Sequence, residues 1–337
     1  MKKTVWKKML GMAMAVSLLL ITATGCGQTP SATTGASGGG KELIPVTQVT
    51  NWFAQPEHGG QYAAQMKDFY KEAGMDMTIL PGGPKVSATQ IVASGKAQFG
   101  MSQSDELLMA RKEGLPLVAI AGIFQVSPQG FVYHKGQPIK TFSDFNGRQV
   151  WVTPGAGNWE YIKKEFKLDS VKEMAHNGSM TNFVADPTSV TQCYVTNEPF
   201  ALEQQGVEVE TMLVADSGYS PYVNVLFTTE KLIKENPELV KAYVEASIKG
   251  WNYYKDHSGE VNQFLQKSNP DLQLDAMDFT AKTQKDFVYG GDAEKHGVGY
   301  MDKGRWEQLM KILVNLKLLD KELDVNEAFT NEFLPKG

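Results

Sequence analysis

Eight consecutive residues, Leu117–Phe124, are all apolar or glycine, and this run constrains the fold more than any other feature. Such a run is typical of a strand buried on both faces of a parallel sheet. It follows three rounds of predicted strand, loop and helix. The predicted strands are 46–50, 75–80 and 99–102, and the predicted helices begin near 59 and cover 86–93 and 105–112. This alternation predicts an α/β fold.

After Lys135-Gly136 a new unit begins, with the same order of strand, loop and helix. The predicted strands are 149–153, 192–196, 209–214 and 223–228, with helices at 158–166 and 200–205. From Glu230 the chain turns helical, with predicted helices at 237–255, 259–266, 275–287 and 303–317. About 300 residues exceed what one ordinary core holds, so the sequence predicts two lobes.

The N-terminus has the pattern of a bacterial export signal. Four lysines precede an apolar run from Met9 to Ile21, which is too short to span a membrane. Cys26 follows Ala23-Thr24-Gly25, which resembles a lipobox in which alanine replaces the usual leucine. The resemblance implies cleavage after residue 25 and lipidation of Cys26. The small polar residues 26–42 then read as a flexible tether; the alternative is a plain secretory signal.

Charge and cysteine content exclude several classes of function. The chain has 33 Lys and Arg against 38 Asp and Glu; residues 1–25 hold four of the lysines and no acid, so the remainder carries a net charge of −9. An acidic surface argues against nucleic acid as a partner. Cys193 is the one cysteine left after Cys26, so no internal disulfide can form. The five histidines lack metal-ligand spacing, and no metal site or cofactor is expected.

The loop between the first strand and the first helix is the main candidate site. It contains Trp52, Glu57 and His58, and Tyr62 follows in the helix. In open α/β sheets ligands bind beyond the carboxyl ends of the strands, where this loop lies. Trp52 offers a stacking face, and the polar groups offer hydrogen bonds. The alternative is that Trp52 caps the core and Glu57 is a solvated residue of the first helical turn.

Four segments of the chain match a known family: Asn51-Trp52 with Pro56 and His58, Ile91–Gly100, Phe142–Val150 and Asn236-Pro237-Glu238. They resemble the NMT1/THI5 type of thiamine-pyrimidine protein, a branch of the sulfonate and nitrate group of ABC-transporter binding proteins. The resemblance covers roughly Val46 to Trp306. It implies a two-lobed periplasmic-binding-protein fold of type II. Lobe one is then 43–135 plus 225–337 and lobe two is 136–224, with hinge crossings near 133–136 and 223–227.

The resemblance adds loops of lobe two to the candidate site. Gly155 and Gly157 open a helix whose free amides suit an anion or a carbonyl oxygen. Glu198 follows a strand and suits an amino-pyrimidine edge, because a carboxylate accepts two N–H bonds. The full predicted ligand-binding set is Trp52, Glu57, His58, Tyr62, Ser102, Gly155, Gly157, Asn158, Trp159, Asn197 and Glu198.

These features together predict a monomeric, lipid-anchored binding protein on the outer face of the cell membrane. It would capture a small planar nitrogen-rich nutrient, first of all a thiamine-precursor pyrimidine, and deliver it to an ABC permease. One alternative is a sulfonate or another organic anion as ligand. Another is the pyrimidine-forming enzyme that the resemblance implies for eukaryotic members, which consume their own histidine. The cysteine-rich, iron-binding loop of those members is missing, so no enzymatic activity is expected.

Overall fold

The computed structural model describes residues 42–336. The predicted signal peptide, the lipidation site Cys26 and all but the last residue of the predicted tether lie outside these residues. Among residues 42–336, no helix combines the length and the apolarity that crossing a bilayer requires.

Within residues 42–336, ten strands form two five-stranded sheets. The strands are β1 (Ile44–Val49), β2 (Met75–Leu80), β3 (Phe99–Ser102), β4 (Leu117–Phe124), β5 (Gln129–His134), β6 (Gln149–Val152), β7 (Lys172–Ala175), β8 (Val190–Tyr194), β9 (Val209–Leu213) and β10 (Val223–Thr229). The first sheet has the order β2-β1-β3-β10-β4, and the second has the order β7-β6-β8-β5-β9. The predicted α/β class with two sheets is confirmed.

Fourteen α-helices are present in the described part of the chain. They are α1 (Gly59–Met66), α2 (Phe69–Glu72), α3 (Ala88–Ala93), α4 (Ser104–Lys112), α5 (Gly157–Glu165), α6 (Thr181–Ala185), α7 (Glu198–Glu203), α8 (Glu230–Glu235), α9 (Pro237–Gln266), α10 (Leu274–Thr283), α11 (Lys285–Tyr289), α12 (Ala293–His296), α13 (Lys303–Asn315) and α14 (Val325–Ala328). Short 3-10 helices at Pro56–His58, Phe142–Phe145 and Val214–Ser217 complete the elements.

Both sheets share one pattern of strand directions. β1 is parallel to β2 and β3, and β10 runs antiparallel between β3 and β4. In the second sheet β6 is parallel to β7 and β8, and β5 runs antiparallel between β8 and β9. The loops after the parallel strands of each sheet therefore leave from one edge, and these loops carry the predicted site residues.

The first crossing between the sheets differs from the prediction. β5 belongs to the second sheet, so the chain leaves the first sheet within residues 125–128, before β5, and not near 133–136. The run Phe131-Val132-Tyr133 was assigned to lobe one because its pairing with β8 and β9 cannot be read from local sequence. The chain returns to the first sheet between the 3-10 helix Val214–Ser217 and β10.

Arg305, on α13, connects the two crossings. Its Nη2 donates to the backbone carbonyl of Gln125 at 2.7 Å and to that of Ser220 at 3.3 Å. The guanidinium lies 3.8 Å from the centre of the Tyr222 ring, at cation–π distance. One side chain thus holds both segments through which the chain passes between the sheets.

The helix boundaries show two further differences from the prediction. The predicted helices 237–255 and 259–266 form the single element α9, with non-helical dihedrals at His257. The predicted helix 275–287 is instead two helices, α10 and α11, with Gln284 between them. β7 and α6 had not been predicted from the sequence.

Candidate functional site

The loop after β1 is held in place by hydrogen bonds around Trp52. The hydroxyl of Thr50 and the backbone N–H of Gly82 both donate to the carbonyl oxygen of Trp52, at 2.7 and 2.9 Å. A Cβ on Gly82 would lie 2.2 Å from the carbonyl oxygen of Thr50, so only glycine permits this approach. Trp52 is half-buried, and its ring packs edge-on against Phe53 with centroids 5.6 Å apart.

A chain of side-chain amides fixes the segment that carries Glu57 and His58. Asn224 Nδ2 donates to the carbonyl oxygen of Glu57 at 2.6 Å, and Asn51 Nδ2 donates to Asn224 Oδ1 at 2.9 Å. His58 Nε2 lies 2.9 Å from Asn51 Oδ1, so Nε2 is the protonated nitrogen that donates. Burial lowers the pKa of His58 to about 3, which keeps the ring neutral. His58 therefore serves to hold the loop.

The Glu57 carboxyl is buried without a partner. The residue is 1 % exposed, and neither carboxyl oxygen has a hydrogen-bond partner in another residue. Burial, opposed by a hydrogen bond from the residue's own backbone N–H and assisted by the charge of Glu198, raises the pKa of Glu57 to about 8. An unpaired buried carboxylate is costly, so the group keeps its proton at neutral pH.

Glu198 approaches from the second sheet. It is the first residue of α7, and its Oε2 accepts the backbone N–H of Tyr194 at 2.7 Å. Burial raises the pKa of Glu198 to about 7. The loop before it contacts the other half of the molecule, because Thr283 Oγ1 donates to the Thr196 carbonyl at 3.3 Å. Nearby, the Phe200 ring stacks on Phe279 of α10 with centroids 4.5 Å apart. The charge of Glu198 acts on Glu57, so carboxyls that follow strands of the two different sheets lie within electrostatic range of each other.

Two more carboxyls lie at the start of α4. Asp105 is 4 % exposed and accepts the Tyr219 hydroxyl at 2.5 Å, and burial raises its pKa. Glu106 accepts the Ser102 hydroxyl. The Glu106 side chain remains accessible to solvent. Desolvation by the surrounding protein and then the charge of Asp105 raise the pKa of its carboxyl to about 7.

Tyr194 lies within electrostatic reach of all four of these carboxyls, which we call the carboxyl cluster: Glu57, Asp105, Glu106 and Glu198. Burial and then these charges raise the pKa of its hydroxyl. None of the ion pairs formed by residues 42–336 includes a member of the cluster. The site therefore favours a ligand that brings N–H donors or positive charge, and it disfavours anions.

The predicted helix start in the second sheet contacts this cluster directly. A Cβ on Gly157 would lie 2.2 Å from the Tyr219 hydroxyl and 2.8 Å from Asp105 Oδ2. A carboxylate of the chain itself therefore lies beside the first turn of α5, where the sequence predicted an acceptor of the ligand. Gly155 is exposed with φ of 76° and has no neighbour at its Cβ position.

Three further predicted site residues are buried, as Glu57, His58 and Ser102 are. Tyr62 is 2 % exposed and belongs to the core between the first sheet and α9. Trp159 is 1 % exposed, and its Nε1 donates to Glu173 at 2.8 Å. Asn158 Oδ1 accepts the backbone N–H of Trp159 at 2.8 Å. Asn197, by contrast, is half-buried in the loop before Glu198. Of the predicted residues, Glu57 and Glu198 belong to the carboxyl cluster, Ser102 and Gly157 contact it, and the Trp52 ring instead packs against Phe53.

His176 is a site candidate that sequence reasoning missed. It follows β7, and its Nδ1 accepts the backbone N–H of Gly178 at 3.2 Å, while Nε2 is buried without a partner. A Cβ on Gly178 would lie 3.8 Å from the Trp52 ring, so this loop of the second sheet contacts Trp52. The exposed strand β7 gave no periodic signal, and its loop was therefore not recognised.

Metal and thiol chemistry find little support in the described residues. Among residues 42–336, no group of three or more His, Cys, Asp or Glu side chains is arranged to hold a metal ion. Cys193 is a buried free cysteine, and burial raises the pKa of its thiol, which disfavours the reactive thiolate.

A family model described as NMT1/THI5 like matches residues 55–261. The chain is 26 % identical over 308 residues to a riboflavin-binding protein of Chloroflexus aurantiacus, covering 88 % of this chain and 87 % of that one. It is 20 % identical over 317 residues to a formylaminopyrimidine-binding protein of Halalkalibacterium halodurans, covering 89 % and 94 %. It is also 23 % identical over 300 residues to a 4-amino-5-hydroxymethyl-2-methylpyrimidine phosphate synthase of Legionella pneumophila, covering 86 % and 92 %.

The fold is also similar to that of solved structures. The periplasmic aliphatic sulphonate-binding protein of Escherichia coli superposes with a TM-score of 0.66 at 12 % identity, covering 87 % of this chain and 94 % of that one. At this identity the likeness concerns the fold alone. It confirms the predicted periplasmic-binding-protein architecture.

Proposed function

The chain belongs to the NMT1/THI5-like family, and from this membership and the carboxyl cluster we propose that it is the extracytoplasmic solute-binding component of an ABC importer. The ligand is a small planar heterocycle with N–H donors, first of all a thiamine-precursor pyrimidine. The observation that carries the proposal is the partnerless Glu57 carboxyl, which lies within reach of Glu198 from the other sheet. Relatives named for binding riboflavin and formylaminopyrimidine support a nitrogen heterocycle.

In the proposed complex, Trp52 and the carboxyl cluster act on different parts of the ligand. The Trp52 ring stacks on the flat face, which attracts any aromatic ring. Glu198 accepts N–H groups along the edge, which gives direction. A sulfonate ligand fits less well, because the four carboxyls would repel an anion. Among the described residues, none of these carboxyls forms an ion pair with a lysine or an arginine.

The two crossings between the sheets are proposed to act as the hinge of the binding cycle. Residues 125–128 and 218–222 are the segments concerned, and Arg305 holds both. Tyr219, in the second segment, donates to Asp105 and touches Gly157, so contacts at the site and at the hinge are adjacent. Closure of the lobes over the ligand is a hinge motion of known type.

A pyrimidine-forming synthase is the second candidate, because several relatives carry that name. That reading requires His58 as a reactant. In the structure this ring is 1 % exposed and its Nε2 is engaged by Asn51, which supports a structural role instead.

The proposed membrane anchor is tested at Cys26. Attachment of a diacylglyceryl group to this thiol, with removal of residues 1–25, would hold the domain at the membrane through two chains, the number needed for stable anchoring. We expect Cys26→Ser to release the protein into the soluble fraction of cells fractionated by centrifugation. Equal retention of the variant and the wild type in the membrane fraction would contradict the anchor.

The proposed ligand contacts are tested by calorimetric titration with 4-amino-2-methylpyrimidine and with 2-methylpyrimidine, which lacks the amine. We expect Trp52→Ala to weaken the binding of both by roughly 1–3 kcal/mol, the range for stacking of a base on an aromatic ring. Glu198→Gln should weaken the binding of the aminopyrimidine more than that of the other ring, because it removes a charged acceptor.

The matched control is Phe53→Ala, which removes the neighbouring aromatic ring that is 48 % exposed. Its affinities should stay close to those of the wild type. Normal binding by Trp52→Ala, or equal losses for the two ligands in Glu198→Gln, would contradict the proposed site while leaving the fold unaffected.

A further inference from the structure

We infer that Glu57 binds the ligand as a neutral carboxylic acid, so that its O–H donates to, and its carbonyl oxygen accepts from, one edge of a planar heterocycle. The matching edge carries an acceptor beside an N–H donor, as in an amidine or a lactam. Glu198 supplies a second acceptor at the same site. This inference rests on the proposed function and names the edge that the site recognises.

The first support is the geometry around the Glu57 carboxyl. Its backbone is fixed by Asn224, and its side chain is buried with both oxygens free of hydrogen bonds to other residues. Buried polar atoms without partners are rare in native proteins and call for an explanation. A ligand edge that supplies one donor and one acceptor would satisfy both oxygens at once, because a protonated carboxyl has one of each to offer.

The second support is the set of charged and titratable groups that face Glu57. They are Glu198 on α7, Tyr194 on β8, Tyr254 on α9 and the neighbouring His58. His58 is neutral, and the Tyr254 hydroxyl already donates to Asn262 Oδ1 at 2.8 Å. None of these groups brings positive charge, and Glu198 brings negative charge, so the ionised form of Glu57 is disfavoured from every side.

The third support is the difference between the two carboxyls. Glu198 is only half-buried, and its Oε2 accepts a backbone N–H, which stabilises the ionised form. No other residue donates a hydrogen bond to the Glu57 carboxyl, which is also the more deeply buried of the two. Because two ionised carboxyls within electrostatic range repel each other, the proton stays on Glu57. The site therefore binds its ligand through one neutral acid, Glu57, and one carboxylate, Glu198.

The test is a calorimetric titration of the purified full chain with 4-amino-2-methylpyrimidine from pH 6 to pH 9.5. The variants are Glu57→Gln, which keeps one donor and one acceptor in the shape of the acid, and Glu57→Met, which keeps neither. We expect Glu57→Gln to bind within about threefold of the wild type at pH 7, and Glu57→Met to bind at least about tenfold more weakly. Above pH 8 the affinity of the wild type should fall about tenfold for each pH unit, whereas that of Glu57→Gln should not.

An equal loss in Glu57→Gln and Glu57→Met at pH 7 would overturn the inference, because it would mean that the ionised carboxylate is required. A wild-type affinity that is constant up to pH 9.5 would overturn it as well. Failure of the wild type to bind this probe would overturn the proposed ligand edge.

A second measurement does not depend on any ligand. Infrared difference spectra between the wild type and Glu57→Gln at pH 7 should contain the carbonyl stretch of a protonated carboxyl, and its absence would overturn the neutral acid. A different result would contradict the proposed function itself, namely that Trp52→Ala leaves the binding of every planar ligand unchanged.

Discussion

Glu57→Gln should make the unliganded protein more stable at pH 8.5, by roughly 4–5 kcal/mol. The pKa of Glu57 is raised from 4.5 to about 8 in the folded protein. Between these values the folded state keeps a proton that the unfolded state releases, so the wild type loses stability as pH rises from about 4.5 to about 8. Each pKa unit corresponds to about 1.4 kcal/mol, which gives the expected size. Glutamine has no proton to lose and removes this penalty.

The measurement is urea unfolding of wild type and variant at pH 5, 7 and 8.5. The free energies of unfolding of the two proteins should be nearly equal at pH 5. Toward pH 8.5 they should diverge, with the larger value for the variant. The pKa values of Glu198 and Glu106 are also raised, so the free energy of unfolding should still fall with rising pH in both proteins, and this remaining slope is the shallower one. The control is Glu203→Gln, an exposed carboxyl of α7, which should leave the profile unchanged. Parallel profiles for wild type and Glu57→Gln would mean that Glu57 is ionised in the folded protein.

Gly250→Ala should destabilise the protein by roughly 3 kcal/mol, at the upper end of the usual cost of overpacking. Gly250 lies on α9 where α1 crosses it, and a Cβ there would be 2.1 Å from the carbonyl oxygen of Gly60. A backbone carbonyl cannot relieve the clash by a change of rotamer, as a flexible side chain can, so α1 must move away. Because α1 follows directly on the segment that carries Glu57, affinity for the ligand should fall together with stability.

The control for Gly250→Ala is Gly259→Ala in the same helix, where a Cβ has no neighbour within 4 Å. Alanine in a helix is favoured over glycine by up to about 1 kcal/mol, so this variant should be as stable as the wild type or slightly more stable. Thermal unfolding and titration with 4-amino-2-methylpyrimidine measure both effects. A Gly250→Ala protein with normal stability would show that α1 and α9 are not in close contact.

The strands and the loops that follow them could be predicted because their signals are local. The apolar run Leu117–Phe124 became β4 with the predicted bounds, and the loops that carry Trp52 and Glu198 follow strands as expected. β7 could not be predicted, since its residues are largely exposed and show no alternation. The sheet to which β5 belongs was also missed, because strand pairing depends on partners far away in sequence.

The chemistry of the site depends on contacts that no local pattern contains. Glu57 was expected to be either a ligand contact or a solvated helix residue, and nothing nearby in sequence indicates a partnerless buried carboxyl. Its position depends on Asn224, which is 167 residues away, and on the link from Asn224 to Asn51. The role of Asp105 beside Gly157 likewise depends on Tyr219, 114 residues further along the chain.

The proposed binding function is tested most directly by mass spectrometry of the small molecules released when the purified protein is denatured. We expect a planar nitrogen heterocycle that bears N–H donors, retained by the wild type and lost from Trp52→Ala. The intact protein should keep the mass of its sequence, with His58 unaltered. Release of a sulfonate or another anion from the wild type, or a mass loss at His58, would contradict the proposed binding function.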